Sequence, residues 1–395
     1  MRILRLFIPG TFEDAQLYMG HLIAFTTDRE ARLVELQTLT AHLETRYPAW
    51  EGVLTFAFAR NDWLTGSVMT SLARNQSLAE ALNTVVDELV GEELVLSEAD
   101  VGLVGLRGYS QQADVILDTV FYGSRIYLST TSGLFDYDVD WQDLTVGSAR
   151  QRLDARCVSA TAEYGAINAS CEDLGLFTGY DEFGWRHATN GSSELAQTAP
   201  RSVRSSWYGT DLVNYEGPSA PELLRASVEA VGVDDGLRER DRKVVTSFST
   251  PTDELDALIR ELGAQRAVPP DDVQFVWNSS RAFFINTHSH GFFTAYQTRT
   301  ADSGVRLTRH GETNGRVVGV HRFARGWVIE TDFRAYVLTG GRLIELLGEE
   351  PLSVRTFEGS KRYRRLIAIT AESGVHLISA IDDFGAASRR AATTE

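Results

Sequence analysis

A repeated strand–turn–strand unit is the feature of this sequence that most restricts its fold. Residues 124–135 and 165–177 each contain a short apolar strand, a small polar turn with Gly, and a second apolar strand. Both units lead to a Tyr-Asp pair and then to a tryptophan, and they lie about 42 residues apart, a typical length for one repeated sheet. The same pattern occurs in four further segments, which are 16–25, 281–293, 326–338 and 374–380. Because β-branched and aromatic residues flank the turns, the chain is predicted to form a series of small antiparallel sheets.

Small sheets of this kind cannot each bury an apolar face alone. Arranged radially, every sheet covers its neighbour's apolar face and leaves only short edges exposed. In period and hairpin pattern, most of the chain resembles β-propellers of the WD40-like kind, although the Gly-His and Trp-Asp signature of true WD40 repeats is absent. The resemblance implies an all-β fold, a β-propeller of about seven four-stranded blades forming one domain over residues 1–385. The short last copy predicts a blade completed by strands from both ends of the chain.

Three segments between the repeats have apolar residues at helical spacing. They are predicted as inserted helices near 77–90, 220–232 and 251–263. Ser77 is an N-cap residue for the first helix, and Pro221 and Pro251 stand at or before the start of the other two. Segment 386–395 is predicted to be a disordered tail.

The formal net charge of −16 disfavours nucleic acid and anionic lipid as partners, because both are bound by clustered Lys and Arg. The most basic local stretch, residues 361–365, is predicted to be a solvated loop. No run approaches the ~18 apolar residues of a membrane helix. The first nine residues lack the long apolar region of a signal peptide. We therefore expect a cytoplasmic protein without a membrane partner.

The chain has two cysteines, Cys157 and Cys171. They are predicted to lie on neighbouring strands of one hairpin, where a disulfide is geometrically possible. Reduced and buried thiols are the expectation for a cytoplasmic chain.

Residues 309–313, Arg-His-Gly-Glu-Thr, match the phosphohistidine signature of phosphoglycerate mutase-like phosphatases. In that family the motif follows the first strand of an α/β domain, and a second His and Arg come from a long stretch of alternating helix and strand. Here only about 85 residues follow His310, and they have a strand-like pattern. Since a motif requires its structural context, we interpret the match as a hairpin loop between units. Gly311 and the Asn314-Gly315 pair would supply its turns.

His288 and His290 are weak candidates for metal ligands. The His-x-His spacing on a strand directs both imidazoles to one face, but a metal site needs at least a third ligand and none can be assigned. The same residues also suit an ordinary turn. No metal and no cofactor are predicted.

The Tyr-Asp pairs and tryptophans of the first two repeats are the candidate binding residues. The set consists of Tyr137, Asp138, Trp141, Tyr180, Asp181 and Trp185. On adjacent blades they would present aromatic and acidic groups at corresponding places, as in a partner-binding rim. The alternative is a structural role, in which each Trp packs between blades and each Asp caps a turn. The acidic pairs at 349–350 and 382–383 are interpreted as surface loop charges.

Two functions from different classes fit this sequence. The first is a non-catalytic protein-interaction scaffold or sensor subunit of a larger assembly, in which the blade faces and inserted helices bind partner proteins. The second is an enzyme or small-ligand binder with its site at the central channel of the propeller. Fold alone does not decide between them. Titratable side chains converging at the channel would favour the second, and an exposed apolar surface would favour the first.

Overall fold

The computed structural model describes residues 1–64, 75–111, 115–181, 194–217, 220–234, 239–249, 269–279, 282–289, 291–297 and 305–384. Strands account for 57% of these described residues, against a usual fraction of about 20–25%. The chain divides into two compact units. Unit 1 contains Met1–Leu106 and His321–Glu395, and unit 2 contains Arg107–Val320.

The described elements follow one another in three stretches of the chain. The first stretch contains β1 (Arg2–Pro9), β2 (Phe12–Tyr18), β3 (His21–Thr26), β4 (Ala31–Glu35), α1 (Leu36–Arg46), α2 (Gln76–Val90), β5 (Glu93–Val95), α3 (Glu98–Val101) and β6 (Val104–Gly105). The second contains β7 (Ile116–Tyr122), β8 (Arg125–Thr130), β9 (Gly133–Asp140), β10 (Thr145–Val146), β11 (Arg150–Leu153), β12 (Ser159–Glu163), β13 (Ala166–Ser170), β14 (Leu176–Tyr180), β15 (Ala196–Ala199), β16 (Arg204–Tyr208), β17 (Asp211–Gly217), β18 (Ala220–Leu224), β19 (Ala226–Asp234), β20 (Glu239–Phe248), β21 (Val273–Ser279), β22 (Ala282–Thr287), β23 (Gly291–Gln297) and β24 (Val305–Glu312). The third contains β25 (Val317–Phe323), β26 (Gly326–Thr331), β27 (Ala335–Thr339), β28 (Arg342–Leu347), β29 (Pro351–Thr356), β30 (Leu366–Ala371) and β31 (Gly374–Ile381).

These strands form seven small sheets, which confirms the predicted seven-bladed β-propeller. In unit 1, blade 1 has the strand order β2-β3-β4-β6, and blade 7 has the order β29-β30-β31-β1 with β5 added outside β1. Blade 6 has the order β25-β26-β27-β28, and the boundary between the two units lies within β25. In unit 2, blade 2 is β7-β8-β9-β10 with β11 also paired to β9, blade 3 is β12-β13-β14-β15, blade 4 is β16-β17-β18, and blade 5 is β21-β22-β23-β24. The described part of blade 4 thus has three strands instead of the predicted four. Strands β19 and β20 form a separate long hairpin.

A buried hydroxyl residue closes the turn after the second strand in several blades. The Oγ1 atom of Thr130 donates a hydrogen bond to the Gly133 carbonyl at 2.7 Å, and that of Thr331 donates to the Arg334 carbonyl at 3.0 Å. Thr26 makes the equivalent bond in blade 1, to the Glu30 carbonyl at 3.1 Å. Such local side-chain hydrogen bonds compete with continuation of the strand and stabilise the turn that reverses the chain direction. The polar turns of the sequence repeat are therefore the reversals between the second and third strands.

Blade 7 joins the two ends of the chain. Strand β1 pairs antiparallel with β31 in a continuous register from Arg2↔Ile381 to Pro9↔Gly374. On its other side, β1 pairs in parallel with β5. The predicted completion of one blade by strands from both ends is what the fold contains.

Residues 36–64 and 75–103 form the described part of an insertion between the third and fourth strands of blade 1. It contains α1, α2, β5 and α3, and also the short helices Pro48–Trp50, Thr55–Ala59 and Asn61–Leu64. Its apolar residues share one core with β1 and β31, which includes Leu39, Phe58 and Leu89 of the insertion packed with Leu6 and Leu377. We call residues 36–64 and 75–103 the platform. No described helix is long and apolar enough to cross a membrane.

The three predicted helices have different outcomes. Helix α2 lies where the first is predicted, but its N-cap is Asn75 instead of the predicted Ser77, and the Asn75 side-chain oxygen accepts a hydrogen bond from Leu78 N at 3.1 Å. The prediction at 220–232 is wrong, since this segment forms β18 and β19. Strand β18 pairs with β17 and strand β19 pairs along its full length with β20, so partner strands override the local helical spacing. The helix predicted at 251–263 and the tail at 386–395 lie outside the described residues.

Substitution of Gly374 by Ala tests the pairing of β1 with β31 in blade 7. Gly374 has φ +150, and an added Cβ would clash with the Ile8 carbonyl of the paired strand β1. We expect a loss of about 2 kcal/mol in the free energy of unfolding, measured by urea denaturation. Gly359→Ala is the matched control in the same unit, because its Cβ would meet nothing within 4 Å. Equal stability of the two variants would contradict the close approach of β1 and β31.

Candidate functional site

Tyr137, Asp138 and Trp141 lie on or just after β9 of blade 2. The Tyr137 side chain is buried, and its hydroxyl donates a hydrogen bond to the Ser110 carbonyl at 3.0 Å. Asp138 is 69% exposed and forms an ion pair with Arg125 at 2.7 Å. The Trp141 ring packs against Phe121 with centroids 6.0 Å apart. Of these three residues, Asp138 has a side chain that faces solvent.

Tyr180 and Asp181 lie at the end of β14 and contact the β19–β20 hairpin. The Tyr180 hydroxyl donates to the Thr246 carbonyl at 3.2 Å, and burial raises the pKa of Tyr180. Asp181 accepts a hydrogen bond from Arg242 Nη2 at 3.2 Å. The same Arg242 nitrogen donates to the Tyr122 hydroxyl at 2.7 Å. Tyr180 and Asp181 therefore attach the long hairpin to blade 3, and Tyr122 attaches it to blade 2. Trp185 lies outside the described residues.

The two Tyr-Asp pairs thus have different surroundings in the fold. One pair has a buried tyrosine and an exposed carboxylate, whereas the second has both side chains engaged by the hairpin. Sequence reasoning missed Arg242, because the pairing of Asp181 with a residue 61 positions later depends on the tertiary fold. A common binding rim made by both pairs stays a prediction.

Arg309 and His310 of the phosphatase-like motif lie on β24, the outer strand of blade 5. The His310 Nε2 atom is hydrogen bonded to Thr294 Oγ1 at 2.5 Å, and burial lowers the pKa of His310. Gly315 has a positive φ and lies in the bend after β24, as the sequence predicts, whereas Gly311, also at positive φ, lies within β24 at a register shift against β23. The motif occupies the end of a strand instead of a whole hairpin loop, and its strand belongs to an antiparallel sheet.

His288, the described member of the His-x-His pair, lies exposed in the turn between β22 and β23. Its backbone N–H donates to the Asp272 carbonyl at 2.8 Å, and the neighbouring Ser289 hydroxyl donates to the Asp272 carboxylate at 2.6 Å. These bonds fix an ordinary turn. His290 lies outside the described residues. Within the described ranges, no group of three or more His, Cys, Asp or Glu side chains could hold a metal ion.

Cys157 and Cys171 stand next to the β12–β13 hairpin, as the sequence predicts. Both thiols are free and buried. The Cys157 Sγ atom donates to Ser129 Oγ at 3.3 Å. A hydrogen bond with Cys171, together with burial, raises the pKa of Cys157.

A group of Ser373, His376 and Glu349 resembles a nucleophilic triad in composition but differs from one in geometry. The Ser373 hydroxyl donates to Glu349 Oε1 at 2.6 Å, and Glu349 also lies 3.3 Å from His376 Nε2. The serine oxygen lies 3.4 Å from the same Nε2 atom. In a catalytic triad the carboxylate binds Nδ1 and leaves Nε2 for the serine. The group instead ties the loop before β29 to the β30–β31 turn, so Glu349 has a structural bond beyond its predicted surface charge.

Residues 357–365, the connection between β29 and β30, carry the basic stretch of the sequence. We call them the β29–β30 loop. The prediction of a solvated loop is wrong, because Tyr363 and Arg365 are buried. The Gly20 N–H donates to the Tyr363 hydroxyl, and the Arg365 N–H donates to Asn61 Oδ1 at 3.1 Å. The Arg364 carbonyl accepts from Ala324 N at 2.9 Å.

Asp382 is the carboxylate that faces this loop. Its Oδ2 atom forms ion pairs with both Arg325 and Arg365, the latter at 3.2 Å. The Arg365 side chain is 6% exposed. Burial and repulsion from Arg325 and Arg364 lower the pKa of Arg365 to about 10. The fold therefore places two guanidinium groups, those of Arg325 and Arg365, on one carboxylate, and Arg364 adds positive charge near Arg365.

Comparison with known proteins adds solved structures of low sequence identity. The β-propeller domain of Cps50 (Swd1) from Myceliophteria thermophila is 12% identical, with a TM-score of 0.47, over 94% of this chain and 96% of that one. The N-terminal domain of Nup159 is 8% identical, with a TM-score of 0.45, over 96% and 95% of the two chains. The WD40 β-propeller domain of Doa1 is 8% identical, with a TM-score of 0.43, over 96% of both. No protein-family model and no curated protein matches the sequence.

Asp181→Asn is expected to loosen the β19–β20 hairpin. The substitution removes the charge that Arg242 binds on a side chain that is 9% exposed. Loss of about 1 kcal/mol should accelerate amide hydrogen exchange in β19 and β20 by roughly five-fold. Hydrogen-exchange mass spectrometry measures the exchange rates of the β19 and β20 amides. Asp138→Asn, at an exposed carboxylate in unit 2, is the control. Unchanged exchange in the hairpin would show that Asp181 has no role in attaching it.

Acidification is expected to destabilise the protein through three buried or half-buried histidines. Burial lowers the pKa of His21, His310 and His376 from the ordinary value of 6.5. The unfolded chain therefore binds protons at a higher pH than the folded chain, so stability present above pH 6.5 is lost as the pH falls through the folded-state pKa values. Thermal unfolding at decreasing pH should give a falling Tm. His376→Gln should reduce this slope and exposed His42→Gln should not; equal slopes would count against burial of His376.

Proposed function

We propose that this chain is a non-catalytic protein-interaction scaffold, or the sensor subunit of a larger assembly, and that the platform is its docking surface. The observation that carries the proposal is the attachment of the platform to the closing blade. Three exposed aliphatic side chains, Leu78, Val90 and Val95, with exposed fractions of 42%, 44% and 40%, lie on α2 and β5 of this platform. Exposed apolar groups on a rigid support suit a protein partner.

Polar contacts also hold the platform in place. The Arg2 guanidinium donates to the Asn83 side-chain oxygen at 2.6 Å and to Asp87 at 2.9 Å. Asn83 in turn exchanges two hydrogen bonds of 2.9 Å with the backbone of Phe384. Helix α2 is therefore fixed to both the first strand and the segment after the last one. A support fixed in this way loses little conformational entropy when a partner binds.

The first strands of several blades carry polar residues whose side chains form hydrogen bonds and ion pairs with another blade. In unit 1, the Asp14 carboxylate accepts hydrogen bonds from Arg355 at 2.6 and 3.0 Å and from Ser353 at 2.6 Å. These ties join β2 to β29. A carboxylate held by a guanidinium and a hydroxyl serves poorly as a general base.

Unit 2 contains comparable ties. Asp118 accepts from the Ala160 N–H at 2.9 Å, and Ser206 donates to the Asn278 side-chain oxygen at 2.5 Å. The Arg204 guanidinium stacks on the Trp277 ring and donates to the Val318 carbonyl at 2.8 Å. These contacts favour a structural role for the first-strand polar groups. They support the scaffold over the alternative of an enzyme or small-ligand binder with its site at the central channel.

The Tyr-Asp-Trp residues of blades 2 and 3 remain part of the proposal as a secondary rim. Asp138 offers the exposed carboxylate there. The partner is proposed to be a protein, and the compartment to be the cytoplasm.

Native co-purification tests the scaffold proposal. A tagged full-length chain expressed in its own cells should retain a stoichiometric protein partner, identified by mass spectrometry. The double variant Leu78→Glu/Val90→Glu places charge on the apolar surface and should reduce partner recovery by about ten-fold or more. Leu174→Glu, at an exposed leucine in unit 2, is the matched control. Retention of the partner by the double variant would exclude the platform as the docking surface. Recovery of the chain alone, together with turnover of a small molecule, would favour the channel enzyme.

A further inference from the structure

The β29–β30 loop concentrates positive charge on a chain that is otherwise acidic. Its nine residues include four basic side chains and one acidic side chain, whereas the whole chain has a formal net charge of −16. Lys361 is exposed, and Arg362 and Arg364 are half-buried. Arg325, from the β25–β26 turn, is also exposed. We call Arg325, Lys361, Arg362 and Arg364 the basic surface.

Hydrogen bonds and a ring contact within the β29–β30 loop, together with bonds to other segments, hold the loop that carries this surface. The Ser360 hydroxyl oxygen accepts hydrogen bonds from the Arg362 and Tyr363 N–H groups, both at 3.1 Å. The rings of Phe357 and Tyr363 meet edge to face, with centroids 6.1 Å apart. Together with the bonds to Gly20 and Asn61 described above, these contacts fix the loop. The charges are therefore displayed by a fixed backbone.

The carboxylates near the basic surface are already paired with arginines. Glu358 binds Arg322 at 2.9 Å, and Asp382 is shared between Arg325 and Arg365. Among the described residues, the buried Nε atoms of Arg364 and Arg365 have no hydrogen-bond acceptor. These two carboxylates thus pair with three guanidinium groups, and Arg364 repels that of Arg365. An added carboxylate would relieve this repulsion.

We propose that the basic surface binds an acidic segment of a partner protein; this inference rests on the scaffold function proposed above. Side-chain carboxylates of the segment accept hydrogen bonds from Arg325, Arg362 and Arg364. Charge complementarity selects a short acidic peptide over longer polyanions. Fields from exposed charges are screened beyond about 8 Å at physiological ionic strength, so a short segment meets the local positive field. A duplex or an anionic bilayer extends much further and meets the acidic remainder of the protein.

Fluorescence anisotropy with the full chain tests the proposal, and a fluorescein-labelled peptide of alternating Glu and Gly is the probe. We expect Arg364→Gln to weaken peptide binding about five-fold and Lys361→Gln to weaken it about two-fold, both at low ionic strength. Arg201→Gln is the control with the same charge change at an exposed arginine in unit 2. Thermal unfolding checks that each variant folds. Because Lys361 is exposed, its variant keeps the test valid even if Arg364→Gln fails to fold.

Asp382→Asn is expected to strengthen peptide binding, the opposite of the effect of Arg364→Gln. It removes the carboxylate that neutralises Arg325 and Arg365, so peptide binding should strengthen about two- to five-fold. Asp173→Asn, at a carboxylate in unit 2 that is 85% exposed, changes the net charge equally and should leave the affinity unchanged. Equal effects of the two variants would indicate a general charge effect and overturn the site.

Competing ligands separate this inference from its alternatives. An oligodeoxythymidylate and phosphatidylserine vesicles are measured beside the peptide. Tighter binding of either one through Arg364 would overturn the assignment to a peptide, and unchanged peptide binding by Arg364→Gln would overturn the surface itself. The Leu78→Glu/Val90→Glu variant should bind the peptide normally. If that variant loses the native partner but still binds the peptide, both proposals are supported. If the unmodified chain retains a native partner but does not bind the peptide, this inference is rejected and the scaffold proposal stands.

Discussion

The pairing of β1 with β31 is the interaction on which unit 1 depends. It joins strands from opposite ends of the chain over the full eight residues of β1, and residues of both strands enter the core shared with the platform. Non-local pairing of this kind is slow to form, because loop-closure entropy is lost before the contacts are gained. The parallel strand β5 pairs with Arg5–Phe7 on the other edge of β1, which shortens the edge left open to pairing with other chains.

Polar side chains in this protein mostly fasten one part of the backbone to another. Threonine hydroxyls close the turns, Asp14 joins β2 to β29, and the Ser373–His376–Glu349 group joins a loop to a turn. Residue types that carry catalysis in enzymes are thus used for structure. Groups fixed in this way cannot reorganise around a reacting substrate at low cost. The scaffold function proposed above would use the surface of this frame.

The fold could be predicted from the sequence to the extent that it depends on local pattern. Hairpins at regular spacing, with Thr26, Thr130 and Thr331 before the turns, repeat in the sequence and become blades. The segment 220–232 shows the limit of this approach. Its apolar residues fit a helix equally well, and only pairing with β17 and β20 makes it extended. For the same reason Arg242 escaped notice, because its partners Tyr122 and Asp181 are far away in sequence.

The basic surface shows why total charge is a poor guide to local recognition. A net charge of −16 describes the far field, whereas a short ligand experiences charges within about one Debye length. Composition also favoured a solvated loop at 361–365, since basic residues avoid burial unless paired. Tyr363 and Arg365 are nevertheless buried, because Gly20, Asn61 and Asp382 bind them from other parts of unit 1. This anchoring keeps Arg362 and Arg364 in place before any ligand arrives. A pre-organised group of cations loses less conformational entropy on binding than the same residues would in a mobile loop.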